Sequence, residues 1–495
     1  MSGLSSMRVR FPRLERRGAM WGRSWTQLMT ASVPLFVMLF AFMFEAFGVL
    51  GVVLIPGLLT MVVALTNWRR ESVMVWAMHF WRFWRCRAQR QWYTDGIPEV
   101  MKIGELELPG MLAPLSIHET SNELGFVYDP HRKRFSITFR FDAPAWELTD
   151  DPQRERSVAG FAGFLNGLGR VPGLVLVDLR ARRDPSDSSE AVTYMQHRMG
   201  VGEDEVLSWS QQQAVAAARD MQLVAMDTSY EATFTLSAAS LRDQRFQQRM
   251  DRIGGDLQSA GQVLELEADS IKKSLTSAGV HNVRVLDATG LRLAIRRGFD
   301  PFTVSDRLRA GEPVSRVSAK QYVRPLRLEA HSDHVRADGA WHQGFLVMEW
   351  PLSDVGMGFL TDLVDDHGSY TRCFTLQIEP IDKDRARRQV EKALTDLDTA
   401  EALRTKMGNR TTRAQRKEAD EVADREEALT EGHREMSYRG FVVTSARSRE
   451  GLDEARVAVE VAATEANLEV RLFHACQAQV LITAVLPVGA GRWKR

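Results

Sequence analysis

Residues 28–66 read LMTASVPLFVMLFAFMFEAFGVLGVVLIPGLLTMVVALT and form a long apolar stretch in which Glu45 is the one formal charge. A single helix of this length would measure ~58 Å at 1.5 Å per residue. A bilayer core is only ~30 Å thick and takes ~20 residues per span. The stretch therefore predicts two transmembrane helices, over 26–45 and 49–67, with a turn near Glu45.

Arginines flank the apolar stretch on both sides. Residues 1–100 contain twelve arginines, no lysine and five acidic residues, which gives this part a net charge of +7. The turn near Glu45 has no basic residue. The positive-inside rule then predicts a two-span plasma (inner) membrane protein with both termini in the cytoplasm and the lipid bilayer as a partner. The alternative is a helical hairpin buried in a soluble core.

Residues 71–92 mix arginines with aromatic side chains. One interpretation is an amphipathic helix in the headgroup layer; the other is a helix that packs on the following domain with its tryptophans buried. We therefore divide the N-terminal part into a basic N-terminus (1–25), a transmembrane hairpin (26–67) and an amphipathic juxtamembrane helix (68–100). The tryptophans concerned are Trp76, Trp81, Trp84 and Trp92.

The composition of the whole chain is that of a globular protein. Of 495 residues, 44% are hydrophobic and 26% are charged, the net charge is zero, and the mean hydropathy is −0.24. This balance excludes a polytopic transporter. The cysteines Cys86, Cys373 and Cys476 are odd in number and far apart, which predicts neither a disulfide framework nor a metal site and favours a reducing compartment.

The remainder predicts two α+β cytoplasmic units, 101–325 and 326–495, each with the order β-α-β, helical insert, β-α-β. This order is typical of ferredoxin-like (split βαβ) units with an antiparallel sheet. In the first unit we predict a hairpin over 124–142, helices over 153–168, 188–220 and 258–278, and strands over 173–182, 229–237 and 282–287. In the second we predict strands over 343–350, 371–379, 438–446 and 468–474 and helices over 354–365 and 449–467.

The insert at 382–435 is dense in opposite charges and sparse in apolar residues. The break MGNRTT at 407–412 divides it into two helices, which predicts a charged αα-hairpin or a short antiparallel coiled coil. It is either a solvated helix pair without a partner or an arm that touches another subunit.

The sequence contains no signature of catalysis. A P-loop needs glycines before its lysine, and Lys272-Lys273-Ser274 has none. His331 and His334 lie three apart in a predicted hairpin without cysteines, which favours surface residues. We therefore predict no catalytic, cofactor-binding or metal-binding residue, no cofactor, no enzyme activity and no direct nucleic-acid binding. The acidic pairs Asp150-Asp151 and Asp365-Asp366 are interpreted as caps or solvated turns.

Two local motifs have structural interpretations. In Glu349-Trp350-Pro351 the proline ends a strand, and Ser353 or Asp354 can cap the next helix. The C-terminal ITAVLPVGAGRWKR (482–495) predicts a strand that ends at Leu486-Pro487.

Three stretches of the chain carry a resemblance to a known family. They are RFPRLERRGAMWG (10–22), GFLVMEWPLSDVGMGFLTDLV (344–364) and FHACQAQVLITAVLPVGAG (473–491). Together they resemble a family of actinobacterial membrane proteins encoded beside conjugation-type (type IV secretion-like) ATPases and small PrgI-like membrane subunits. Leu352 stands where this family commonly has an arginine, and Val488 where it commonly has a leucine.

The resemblance implies a PrgI-like membrane hairpin joined to a region like the N-terminal domain of the secretion ATPase, without the motor. The implied function is a non-catalytic structural inner-membrane subunit that anchors a cytoplasmic platform and docks a separate secretion ATPase. The implied partners are that ATPase, small membrane subunits and further copies of the chain. The alternatives are a type VII secretion membrane component and a membrane-anchored enzyme, which would need a pocket lined by titratable residues with perturbed pKa values.

Overall fold

The protein is described from a computed structural model. The structure describes residues 8–9, 25–43, 47–68, 71–85, 91–93, 108, 112–143, 149–185, 198, 208–221, 226–240, 244–303, 323–351, 355–356, 358–364, 370–407, 413–432 and 435–490. The strands are β1 (Arg8–Val9), β2 (Asn67–Trp68), β3 (Glu71–Ser72), β4 (Gln91–Tyr93), β5 (Ser116–Glu119), β6 (Gly125–Asp129), β7 (Arg134–Asp142), β8 (Leu174–Pro185), β9 (Met226–Ser237), β10 (His281–Val285), β11 (Arg327–Ala330), β12 (Val335–Ala337), β13 (Ala340–Glu349), β14 (Val355–Gly356), β15 (Thr371–Pro380), β16 (Met436–Ala446) and β17 (Glu469–Leu472). The helices are α1 (Trp25–Met43), α2 (Phe47–Leu65), α3 (Val73–Arg85), α4 (Asp151–Leu168), α5 (Trp209–Met221), α6 (Arg245–Ile253), α7 (Leu257–Ser277), α8 (Ala288–Phe299), α9 (Thr361–Val364), α10 (Lys383–Met407), α11 (Arg413–Thr430), α12 (Arg449–Glu465) and α13 (Gln477–Val485).

The largest sheet has 13 strands and is built on two units of the same connectivity. In the first unit, α4 connects β7 to β8 and α7 connects β9 to β10. β7 and β9 lie in the middle, β10 pairs with β7, and β8 pairs with β9, all antiparallel. This is the connectivity of a split βαβ unit.

The second unit repeats this arrangement. β13 and β16 lie in the middle, β17 pairs with β13, and β15 pairs with β16, again all antiparallel. Each unit begins with a hairpin, β5–β6 or β11–β12, whose second strand pairs with the first strand of the unit. Each unit also ends with a helix, α8 or α13, that follows its last strand.

The two units share one sheet because β8 pairs with β15. The antiparallel register runs from Arg183 opposite Arg372 to Val177 opposite Ile378. The described residues therefore combine helices with a continuous antiparallel sheet that crosses the boundary between the units.

Helices cover both faces of this sheet. Successive side chains of a strand point to opposite faces, and β13 shows the division. Phe345 and Val347 belong to the core under α9 and α12, whereas Leu346 and Met348 belong to the core under α8 and α13. In the first unit, α4, α6 and α7 cover the face on which Phe234 lies.

The N-terminal helices differ from the prediction. α1 and α2 lie where the spans over 26–45 and 49–67 were expected, and they pack against each other. Within the part of the chain that the structure describes, however, no helix has the length and the apolar character needed to cross a membrane. The predicted transmembrane hairpin over 26–67 and the two-span plasma-membrane localisation derived from it are therefore wrong.

Polar residues at the start of α1 are part of the physical reason. Gln27, Thr30 and Ser32 occupy its first two turns, and only the residues from Val33 to Met43 form an apolar run without polar side chains. That run is much shorter than the ~20 residues of a span.

The juxtamembrane helix predicted within 68–100 corresponds to α3, which contacts the second unit. The Trp76 ring lies 5.3 Å from the His474 ring, and His79 Nδ1 lies 3.3 Å from Cys476 Sγ. These contacts agree with packing on the following domain for one side of the helix. The tryptophans that remain exposed are Trp81 and Trp84.

The insert at 382–435 forms a two-helix structure, α10 and α11, which we call the arm. α10 ends at Met407 and α11 begins at Arg413, on either side of the predicted break. A small apolar cluster joins the two helices, and the outer surfaces are charged. The buried members of this cluster are Val390, Ala393 and Val422.

Two segments of the second unit were predicted incorrectly. The stretch before Leu486-Pro487 was expected as a strand but is the helix α13, because a short apolar run that is buried on all sides has no periodicity that separates helix from strand. The helix expected over 354–365 is reduced, within the described residues, to α9, and β14 pairs instead with β1.

In the first unit, α8 was not predicted. Most of the helix predicted over 188–220 lies outside the described residues.

Candidate functional site

Polar side chains occupy the middle of the sheet face that α8 and α13 cover. Along β8, acidic and basic residues alternate with residues that face the opposite core. The neighbouring strands place hydroxyl, carboxylate and amide side chains beside them at matching registers. We call this set the polar seam. Its members are Ser136, Thr138, Asp178, Arg180, Arg182, Asp184, Glu231, Thr233, Thr235, Thr375 and Gln377, each no more than 7% exposed.

Arg180 is the centre of the polar seam. Its Nη1 donates to Thr233 Oγ1 at 2.6 Å, and its Nη2 donates to Asp178 Oδ2 at 3.0 Å. The same guanidinium donates through Nε to the carbonyl of Ala484 at 3.0 Å and through Nη2 to that of Leu486 at 2.9 Å. One side chain of the first unit therefore holds the end of α13 from the second unit.

The end of α13 needs these donors, because the last carbonyls of a helix have no intrahelical partner. The Ala484 carbonyl also accepts a hydrogen bond from Thr375 Oγ1 at 2.6 Å. The chain then crosses the seam at Gly489, whose φ is +56°. A Cβ at this position would overlap the hydroxyl oxygens of Ser136 and Thr235, so the crossing requires glycine.

The charges of the seam are balanced within it. Burial raises the pKa of Asp178, and the ion pair with Arg180 opposes that rise. Burial also acts to raise the pKa of Glu231, but Arg140, at 2.7 Å, and Arg182 outweigh it and lower that pKa. The side chains of the seam are buried and its charges are partnered, so it is suited to holding helices against the sheet.

His342, a residue of the second unit, binds the end of α8, the helix that the first unit places on this face. Its Nε2 lies 2.8 Å from the Phe299 carbonyl at the end of α8, and its Nδ1 lies 2.7 Å from Ser445 Oγ. Because a carbonyl only accepts, Nε2 carries the proton and Nδ1 accepts from the serine. Burial lowers the pKa of His342 to about 4. A neutral histidine of the second unit thus caps a helix of the first.

A groove of about 460 Å³ lies on the opposite face of the first unit, between α4, α6 and α7. Phe164, Leu168 and Ile271 form its apolar floor. Glu267 lies in its wall and pairs with Arg249. Burial raises the pKa of Glu267, and Arg249 opposes the rise. We call this cleft the basic groove, since the charges at its rim are mainly arginines.

These arginines form a ridge beside the groove. Arg245, Arg249 and Arg252 recur at i, i+4 and i+7 of α6, which places them on one side of that helix. Arg170 adjoins them, because Arg245 Nη1 donates to its carbonyl at 3.3 Å. We call these four residues the basic ridge. They offer several N–H donors to an acidic partner.

His331 and His334 do not form a metal site. His334 stacks between His331, at 4.3 Å, and Trp341, at 5.1 Å. Asp333 accepts from Arg449 Nη2 at 2.7 Å. Burial acts to raise the pKa of Asp333, but hydrogen bonds from Arg449 and His334 lower it to about 2. Among the described residues, no group of three histidine, cysteine or acidic side chains is placed to hold a metal ion.

The other residues considered from the sequence are scattered. Lys272 and Lys273 are exposed on α7, and Ser274 lines the basic groove. Asp150 directly precedes α4 but makes no capping hydrogen bond with its side chain. Trp350 is buried with its ring 5.4 Å from that of Tyr438, whose pKa burial raises to about 12. Ser353, Asp354, Asp365 and Asp366 lie outside the described residues.

Neither the polar seam nor the basic groove was predicted. A signal for the seam is present in VDLRARRD (177–184), where charges recur at every second position of an otherwise buried strand. Buried charges need partners, so this pattern indicates an internal ion-pair network. The groove has no such signal, because its walls come from segments far apart in the chain.

Neither a protein-family model nor a curated protein matches this chain. The relation to secretion-system membrane proteins therefore stays a prediction from the motifs.

Proposed function

We propose that the chain is a non-catalytic structural subunit of a type IV secretion-like machine and that it docks a separate secretion ATPase. The polar seam is the observation that supports this best. Its acidic and basic residues would be the natural candidates for chemistry, yet their hydrogen bonds go to helix ends and to each other. These side chains hold helix ends against the sheet. A sheet stiffened in this way is a suitable platform for docking other subunits.

The platform has surfaces that can receive a partner. β4 and β5 are the two end strands of the main sheet order, and an end strand presents backbone N–H and C=O groups that a partner strand can pair with. The arm adds a charged surface beyond the sheet. Docking through such surfaces needs no nucleotide site in this chain.

Co-purification tests the proposal. The full chain carries an affinity tag and is co-produced with a conjugation-type P-loop ATPase, the partner that the resemblance implies. We expect the ATPase to be retained in a fixed ratio and all ATP hydrolysis to follow the ATPase fraction. A variant with the arm replaced by a short Gly-Ser linker is the matched comparison that shows whether the arm or the sheet makes the contact. Absence of the ATPase from the purified full chain would contradict the proposal.

A further inference from the structure

An acidic stripe runs along the exposed side of the arm. Asp420, Asp424, Glu427 and Glu431 lie at i, i+4, i+7 and i+11, which places them on one side of α11 and the turn that follows it. All four are exposed. None of their carboxylates has an ion pair or hydrogen bond within the described part of the chain. We call these residues the acidic stripe.

The stripe is unfavourable for an isolated helix. Like charges four residues apart destabilise a helix by ~0.2–0.5 kcal/mol per pair. Negative charges near the C-terminal end of a helix also oppose its dipole, and α11 has no basic residue in its last turn. A positive surface placed against the stripe would relieve both costs.

The basic ridge is such a surface. From Arg245 to Arg252 it extends ~10 Å along α6 at 1.5 Å per residue, and Arg170 lengthens it, whereas the acidic stripe extends ~16 Å. The side chains of Arg170 and Arg252 have no hydrogen-bond or ion-pair partner among the described residues. The groove and the stripe are therefore complementary in charge and comparable in length.

The shapes are compatible as well. Ala423, on the side of α11 next to the stripe, is small and exposed, so the helix backbone can approach a surface closely. At the groove, the side chain of Leu266 is 66% exposed at the rim. Docking of α11 would cover this leucine while the carboxylates meet the arginines.

We propose that the acidic stripe of one copy of the chain docks on the basic groove and ridge of a second copy. The arm belongs to the second unit and the groove to the first, so the two contact surfaces are different. Such a heterologous contact can continue from copy to copy and gives rings or filaments. This self-association is independent of ATPase docking, and either can exist without the other.

Charge reversal and mixing test the proposal with the full chain. One variant reverses the arm (Asp424→Arg with Glu427→Arg), and the other reverses the groove (Arg170→Glu with Arg252→Glu). Sedimentation velocity at low and high salt measures association, and circular dichroism checks that each variant is folded. We expect the natural chain to associate and each variant alone to bind its own copies at least about tenfold more weakly.

The mixture of both variants is the decisive sample. The reversed arm of one variant is then complementary to the reversed groove of the other, and the unchanged acidic stripe of the second still fits the unchanged groove of the first. We therefore expect assemblies of alternating variants that form only in the mixture and that high salt weakens. Asp384→Arg with Asp398→Arg, an equal charge change at exposed positions of α10 away from the stripe, is the control and should associate like the natural chain.

Three results of the sedimentation experiments would overturn the proposal. They are a natural chain that stays monomeric at all concentrations, association that neither reversal weakens, and failure of the mixture to associate. If the groove variant loses only the co-purified ATPase, the groove binds that protein and not a second copy, which also overturns the proposal while leaving the docking function intact.

Discussion

The buried guanidinium of Arg180 joins the first unit to the end of α13 in the second. Removing a charge from water costs several kcal/mol, and only a full set of partners offsets that cost. A guanidinium suits the position because it has five N–H donors in a fixed plane. Three of its nitrogens reach a carboxylate, a hydroxyl and two helix carbonyls. A lysine ammonium could not span this set.

Substitution of Arg180 by methionine should destabilise the protein strongly. The variant leaves Asp178 as an uncompensated buried charge and removes the Arg180 donors from the carbonyls of Ala484 and Leu486, of which only the Ala484 carbonyl keeps the hydrogen bond from Thr375 Oγ1. We expect a loss of ~3–5 kcal/mol in the free energy of unfolding, measured by urea titration. Arg387→Met, at a solvent-exposed pair on the arm, is the control and should change it by less than ~1 kcal/mol. Similar losses in the two variants would contradict a bracing role for Arg180.

The imidazole of His342 makes stability depend on pH. Its pKa is about 4 in the folded chain, against ~6.5 when unfolded. The folded state therefore binds fewer protons than the unfolded state between these values. The contribution is fully present above pH ~6.5 and is lost as the pH falls toward 4, by up to ~3 kcal/mol.

His342→Gln should flatten this part of the pH profile. Glutamine retains an amide that can donate to the Phe299 carbonyl but does not titrate. We expect the free energy of unfolding of the natural chain to fall more steeply than that of the variant between pH ~6.5 and ~4. Urea titrations at several pH values measure both slopes, with His281→Gln as the control for loss of an exposed imidazole. Parallel profiles for the natural chain and the His342 variant would show that this residue is not buried and neutral.

At the scale of elements, strands were predicted well where one face is polar or where turns mark their ends. The alternation in 134–142 and the paired runs at 371–379 and 438–446 all correspond to strands. The segment 477–485 failed because it is apolar and covered on all sides, so its local pattern fits helix and strand alike. Only the contacts with β13, β15 and β16 make it a helix that lies on the sheet.

The N-terminal helices show the reverse error. Apolar character and arginine flanks predicted their helical nature and their approximate bounds, but the further step to two membrane spans was wrong.

The candidate sites could not be predicted for a different reason. The polar seam joins residues 136, 180, 233 and 375 and binds the carbonyl of residue 484. A single sequence does not show which strands become neighbours. The register that brings Arg180 beside Thr375 exists only in the folded sheet.

At the scale of the whole molecule, a side chain of each unit binds the end of the other unit's last helix. α8 follows the last strand of the first unit, yet His342 of the second unit caps it. α13 follows the last strand of the second unit, yet Arg180 of the first unit binds its end. Together with the β8–β15 pairing, these exchanged contacts make the boundary between the units part of the structural core.

We therefore expect the two units to unfold together, although chains of several units often unfold in separate steps. Hydrogen exchange followed by mass spectrometry along a urea titration reports on each unit, because β7 and β9 lie in the first and β13 and β16 in the second. Both pairs of strands should lose protection at the same urea concentration. In the Arg180→Met variant both should shift to lower urea by the same amount, even though the substitution lies in the first unit, since the variant releases α13 from the shared face. Separate midpoints for the two units, or a shift confined to β7 and β9, would show that the contacts of Arg180 with α13 and of His342 with α8 do not couple the units.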